Sequence, residues 1–122
     1  MTIDEYFIKT ERVISDFDIV IKQKIEKKST GDDFGIFKGT LFFDFGKLDF
    51  IEVMRIVSES PIKIKYKYHF LNGNNEMIFR YDNVKHHPGI SNFPHHKHTK
   101  EGIYPSNEPN FLTILTEIHK TQ

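Results

Sequence analysis

The chain predicts an α+β domain: an N-terminal helix, a five-stranded antiparallel β-meander, an irregular histidine-rich loop and a short C-terminal helix. Three observations predict it. Apolar residues recur at helical spacing near both ends, whereas between them the period drops to two and is broken by turn residues. Twelve Phe and five Tyr, with no Trp and no alanine, favour strands over helices. The third is residues 86–98, HHPGISNFPHHKH, which carry five of the seven histidines. Pro88, Gly89 and Pro94 forbid a regular helix or central strand there, so these imidazoles are expected on a loop.

Each element has a local reason. Residues 2–15 place Ile3, Tyr6, Phe7, Ile8 and Ile14 on one helical face, with Thr2 as N-cap and Glu5 three residues on to complete a capping box. From Phe17, FDIVIKQKIEK alternates in part, and Ser29, Thr30, Gly31 and Asp32 make a turn before FGIFKGTLFFDF. Gly46 and Lys47 are expected to turn the chain into LDFIEVMRIV, a strand apolar on both faces and therefore central. Pro61 opens IKIKYKYHF, and Asn72-Gly73 signals a hairpin into EMIFRYDNV. After the histidine loop, residues 105–109 start a helix that Ser106 or Asn107 would cap, with Phe111, Leu112, Leu115 and Ile118 on its apolar face.

The 122 residues suit one domain, residues 1–122, able to bury a core without staples. Lys+Arg and Asp+Glu balance at 17 each, so any basic surface must arise from local arrangement. The absence of cysteine excludes a disulfide framework, cysteine-based zinc ribbons and thiol catalysis, and it fits a reducing cytosol. The opening MTIDEYFIKTERVISDF is charged throughout and reads as neither signal peptide nor membrane span. A soluble cytoplasmic protein without membrane association is expected.

Strand alternation assigns faces to the hairpin. Ile62, Ile64, Tyr66, Tyr68 and Phe70 fall on one side, and Lys63, Lys65, Lys67 and His69 on the other. Antiparallel pairing adds Met77, Phe79 and Tyr81 to the apolar side, and Glu76, Ile78, Arg80 and Asp82 to the basic side. Lengthening the turn by two residues leaves these faces unchanged. A lysine-alternating strand is commonly only the solvated side of a sheet, and Arg80 with Asp82 could be a surface ion pair worth under about 1 kcal/mol. The histidine run is harder to explain that way.

Taken together, YKYHF, IFRYDNVKHHPGISNFPHHKH and YPSNEP before a terminal helix resemble the TumE family of toxin-antitoxin systems. The resemblance covers about the last sixty residues. It implies a small cytoplasmic toxin that acts on RNA and is neutralised by contact with a cognate antitoxin. The motif positions carried over are Tyr68, His69, Arg80, Tyr81, Asp82, Asn83, His86, His87, Pro94, His95, His96 and His98. Where the motif often has arginine between two tyrosines, this chain has Lys67, which keeps the charge and loses the bidentate fork.

The residues suit that chemistry on their own terms. Metal-free RNA cleavage needs a base for the 2′-OH, an acid for the leaving 5′-oxygen and a cation for the phosphorane-like transition state. Imidazoles fill both proton-transfer roles near neutral pH. His69 with His86 or His96 is the expected acid/base pair, Arg80 the phosphate clamp, and Asp82 the group that orients a histidine. Lys65, Lys67, His87, His95 and His98 are expected to contact the substrate, and no cofactor or metal is required. Tyr68 and Tyr81 fall on the apolar side and are expected in the core. Two alternatives stand beside this: a metal-binding protein or metal-dependent phosphodiesterase using His95, His96 and His98 with His86 or Asp82, and a non-catalytic RNA- or protein-binding module.

Overall fold

The computed structural model describes residues 1–85 and 94–121. Helix α1 (Ile3–Ser15) leads into strands β1 (Lys22–Thr30), β2 (Phe34–Phe43), β3 (Gly46–Val57), β4 (Ser60–Asn72), β5 (Met77–Asp82), β6 (His96–Thr99) and β7 (Gly102–Pro105), followed by helix α2 (Phe111–Lys120). The strands form one sheet in sequence order, every neighbour antiparallel. The α+β class and meander therefore stand, but among the described residues the sheet has seven strands rather than five. The two additions, HKHT and GIYP, are short and lack apolar alternation. They are strands because β6 pairs with the edge of β5 and β7 with β6, so His96, Lys97 and His98 sit on a strand paired on both sides rather than on the irregular loop expected for residues 86–98.

Both helices pack on one face of the sheet. The Thr2 capping box forms as its sequence implies, with Thr2 Oγ1 accepting from Glu5 N–H at 3.2 Å and Glu5 Oε1 accepting from Thr2 N–H at 3.0 Å. Phe7 of α1 stacks on Phe37, and Phe111 of α2 meets Phe37, Phe50 and Tyr68 edge-on. The buried helix faces are Ile3, Phe7, Thr10 and Ile14, and Phe111, Ile114, Leu115 and Ile118. Ile8 and Leu112, expected on those faces, are exposed. The α2 cap is Asn110, not Ser106 or Asn107: its side chain accepts from Thr113 N–H at 2.9 Å, and Thr113 Oγ1 accepts from Asn110 N–H at 3.0 Å.

Two register shifts rearrange the predicted faces. Between Val53 and Met54 the pairing with β4 jumps from Lys65 to Lys63, so Ile64 is the extra residue of a bulge. Lys63 thereby turns to the buried helix side, while Ile62 and Ile64 are exposed. A second shift between Phe70 and Leu71 sets Met77 opposite Leu71, and Ile78 packs against the core instead. The turn expected at Gly46 and Lys47 falls earlier: Asp44 and Phe45 join Phe43 to Gly46, while Ser58 and Glu59, both with positive φ, join Val57 to Ser60. The Asn72 hairpin is longer than two residues, and Asn72 Oδ1 accepts from Asn74 and Glu76 N–H. No helix among the described residues is long and apolar enough to cross a membrane.

Candidate functional site

The helix-free face carries two adjacent rungs of side chains. Directly opposed residues share a face of an antiparallel sheet. One rung therefore runs Asp49, His69, Arg80, His98 across β3 to β6, and the next runs Ile51, Lys67, Asp82, His96. The expectation that His69, Lys67, Arg80 and Asp82 share a face holds, and β6 adds His96 and His98 to it.

Asp82 is the hub. Its side chain is 3% exposed, a position that a carboxylate occupies only when fully partnered. Oδ1 accepts from Val84 N–H at 3.1 Å and lies 2.7 Å from His96 Nε2. Oδ2 accepts from Arg80 Nε at 3.0 Å and lies 3.4 Å from His98 Nε2. His96 is equally buried, and its Nδ1–H donates to the Pro94 carbonyl at 2.8 Å. Nε2 is thus the nitrogen turned to Asp82. Arg80 Nη2 stands 3.2 and 3.4 Å from the two ring nitrogens of His98.

His69 flanks Arg80 on the other side. Partial burial holds its pKa below the ordinary histidine value, and the charges of Arg80 and Lys67 push the same way against the opposing pull of Asp49. The imidazole is therefore neutral and able to accept a proton at neutral pH. Lys65, opposite Val53, is exposed one rung further along.

Other predicted residues lie elsewhere. His95 is on the helix side, stacked on Tyr66 with 5.8 Å between centroids and its Nδ1 2.9 Å from the Tyr66 hydroxyl. Alternation along HHKH turns it to the face opposite His96 and His98. His86 and His87 lie outside the described residues. Tyr68 and Tyr81 are on the helix side, as expected. Tyr81 donates to Glu117 at 2.6 Å, and burial with that hydrogen bond pushes its hydroxyl pKa up to about 12. Asn83 acts as an artificial strand residue where β5 ends: its Oδ1 accepts from Tyr66 N–H at 3.0 Å and its Nδ2 donates to the Ile64 carbonyl at 3.1 Å.

Sequence reasoning missed a second polar cluster, on the helix side. Glu52 is wholly buried and accepts from Tyr6 at 2.6 Å and from Tyr68. Lys63 Nζ lies 3.3 Å from Glu52 and donates to the Tyr68 hydroxyl at 2.8 Å and the Pro109 carbonyl at 2.7 Å. Burial, reinforced by the Glu52 charge, raises the pKa of both tyrosines. The one available signal was a glutamate inside a strand apolar on both faces, LDFIEVMRIV, which must find a buried partner.

A family model described as Toxin TumE matches residues 10–122, nearly the whole chain. No curated protein and no solved structure matches.

Proposed function

The chain belongs to the TumE toxin family, so an antitoxin partner is implied, and from that premise we propose that it is a metal-independent endoribonuclease whose site is the helix-free sheet face. One observation carries the reading: His69, Arg80 and His98 occupy a single rung on three consecutive strands. Strand spacing of about 4.8 Å sets the two imidazole-bearing backbones roughly 10 Å apart with the guanidinium between them. In-line displacement at phosphorus needs base and acid on opposite sides of a phosphate held by a cation, and this rung supplies that order.

His69, neutral, takes the 2′-OH proton as the 2′-oxygen attacks phosphorus. His98 delivers a proton to the departing 5′-oxygen, leaving a 2′,3′-cyclic phosphate. Arg80 binds the equatorial oxygens through its fork and stabilises the added negative charge. Asp82 holds Arg80 and His98 in place. His96 is buried with both nitrogens engaged, so its role is positioning: it steadies Asp82. A groove of about 560 Å³ on the same face, lined by Lys24, Lys38 and Lys67 with Glu26 and Asp49 among them, extends the site toward β1, where the lysines can meet further phosphates.

The test is incubation of purified protein with mixed cellular RNA, with and without EDTA, beside folded His69→Ala, Arg80→Ala and His98→Ala variants. Cleavage that survives EDTA and is lost in each variant is expected. Cleavage lost to EDTA, or retained in the variants, overturns the mechanism. Intact RNA in every lane overturns the assignment.

A further inference from the structure

The same cluster has a feature that RNA cleavage does not use. Asp82, His96 and His98 each offer a ligand atom, and the three atoms lie within 4.8 Å of one another. We propose that this trio is a binding site for a divalent transition ion of the zinc class, which enters by displacing the Arg80 side chain.

Four observations support it. First, two imidazoles and a carboxylate are a donor set that zinc, cobalt and nickel take and magnesium does not. Second, the spacing is close to what such an ion needs. Ligand atoms about 2.0–2.1 Å from zinc in a tetrahedron sit roughly 3.3 Å apart. His98 Nε2 lies 3.4 Å from Asp82 Oδ2 and His96 Nε2 2.7 Å from Oδ1, so the two imidazoles meet different oxygens of one carboxylate, and the three ligand atoms, all within 4.8 Å of one another, draw together by side-chain rotation. Third, metal-bound histidines usually donate their second ring N–H to a carbonyl or carboxylate, and His96 does so to Pro94 at 2.8 Å, which aims Nε2 into the cluster. Fourth, the residues sit on paired backbones, Asp82 opposite His96 with His98 two residues along the same strand, so the set is held by strand register.

Arg80 is the competitor. Its Nε holds Asp82 Oδ2 at 3.0 Å, yet its side chain is 35% exposed and can swing to solvent without a burial penalty. The ion and the guanidinium therefore exclude one another. If the ribonuclease reading is right, metal binding shuts the enzyme off by taking His98 and Asp82 and expelling the phosphate clamp; the binding itself does not depend on that reading.

The experiment is calorimetric titration of the full-length chain with zinc chloride, with cobalt(II) d–d absorption as a second readout, on the natural chain and the Arg80→Met, His96→Gln and His98→Gln variants, each checked for folding by circular dichroism. Expected are one zinc per chain, at least tenfold weaker binding in both histidine variants, tighter binding in Arg80→Met, and no response to magnesium. Unchanged binding in folded His98→Gln would assign the ion to other histidines and overturn the site. So would an absence of stoichiometric binding, or an Arg80→Met variant that binds no more tightly. Should His96→Gln fail to fold, the partly accessible His98 and the Arg80 variant decide the matter. RNA cleavage in EDTA is scored separately: its absence removes the ribonuclease reading and leaves the titration result standing.

Discussion

Replacing Lys63 by methionine, which keeps the aliphatic stem and deletes the ammonium, should be among the most damaging single changes in this fold. Lys63 and Glu52 are 6% and 0% exposed, so solvent cannot screen the charge left behind. The variant strands the Glu52 carboxylate with two tyrosine hydroxyls and removes the donor that ties the Pro109 carbonyl, just ahead of α2, to the sheet. Breaking a buried pair from one side costs about 3–5 kcal/mol, and the orphaned carbonyl adds about 1 kcal/mol. Against total stabilities of about 5–15 kcal/mol, that is a large fraction. At roughly 3–5 °C per kcal/mol for a chain of this size, the midpoint falls by at least about 10 °C. Urea unfolding followed by circular dichroism measures it. The double variant Glu52→Leu/Lys63→Met should recover part of the loss, because no charge then remains buried, while the Tyr6 and Tyr68 hydroxyls and the Pro109 carbonyl stay without their partners. A Lys63→Met cost under about 1 kcal/mol, or a double variant less stable than the single one, would refute the reasoning.

Three further outcomes are expected. Because the folded-state pKa of His69 lies below its unfolded value, the unfolded chain binds more protons between the two. The contribution is thus full above about pH 6.5 and is lost as pH falls through the folded pKa; unfolding midpoints at pH 7.5 and 5 should differ more for the natural chain than for His69→Gln. Arg80→Lys keeps the charge but loses the fork and the guanidinium contact with His98, so RNA cleavage should fall about a hundredfold or more with little loss of stability; near-normal turnover would remove Arg80 from the phosphate. Asn83→Ala leaves Tyr66 N–H and the Ile64 carbonyl without their partner and should cost about 1–3 kcal/mol, read by thermal melting; an unchanged melting point would show that water replaces the amide.

Much of this architecture was legible residue by residue. Thr2 and Glu5 announced the start of α1 because a capping box is a local contract between residues three apart. Period-two alternation put His69, Arg80 and Asp82 on one face, and that survived the longer Asn72 turn since side-chain direction depends on parity. The bulge at Ile64 was not legible: an inserted residue reverses parity for everything beyond it, so Lys63 and its isoleucine neighbours changed places. The strands β6 and β7 were hidden for another reason. Four residues with two histidines and a lysine have no strand preference of their own, and they become a strand because β5 offers an unpaired edge.

The histidine run shows the division most clearly. Its density and its prolines raised the expectation of chemistry there, since those properties belong to residue types and to local backbone restriction. Which imidazoles meet was a matter of pairing. Register set His96 opposite Asp82 and His98 opposite Arg80, while the same alternation sent His95 through to Tyr66. Local rules act over three or four residues and can be read along a chain. His96 and His98 reach Asp82 from β6, and Tyr6, Lys63 and Tyr68 reach Glu52 from α1 and β4, all beyond that range, and burial made their pairing obligatory once the fold had closed over them.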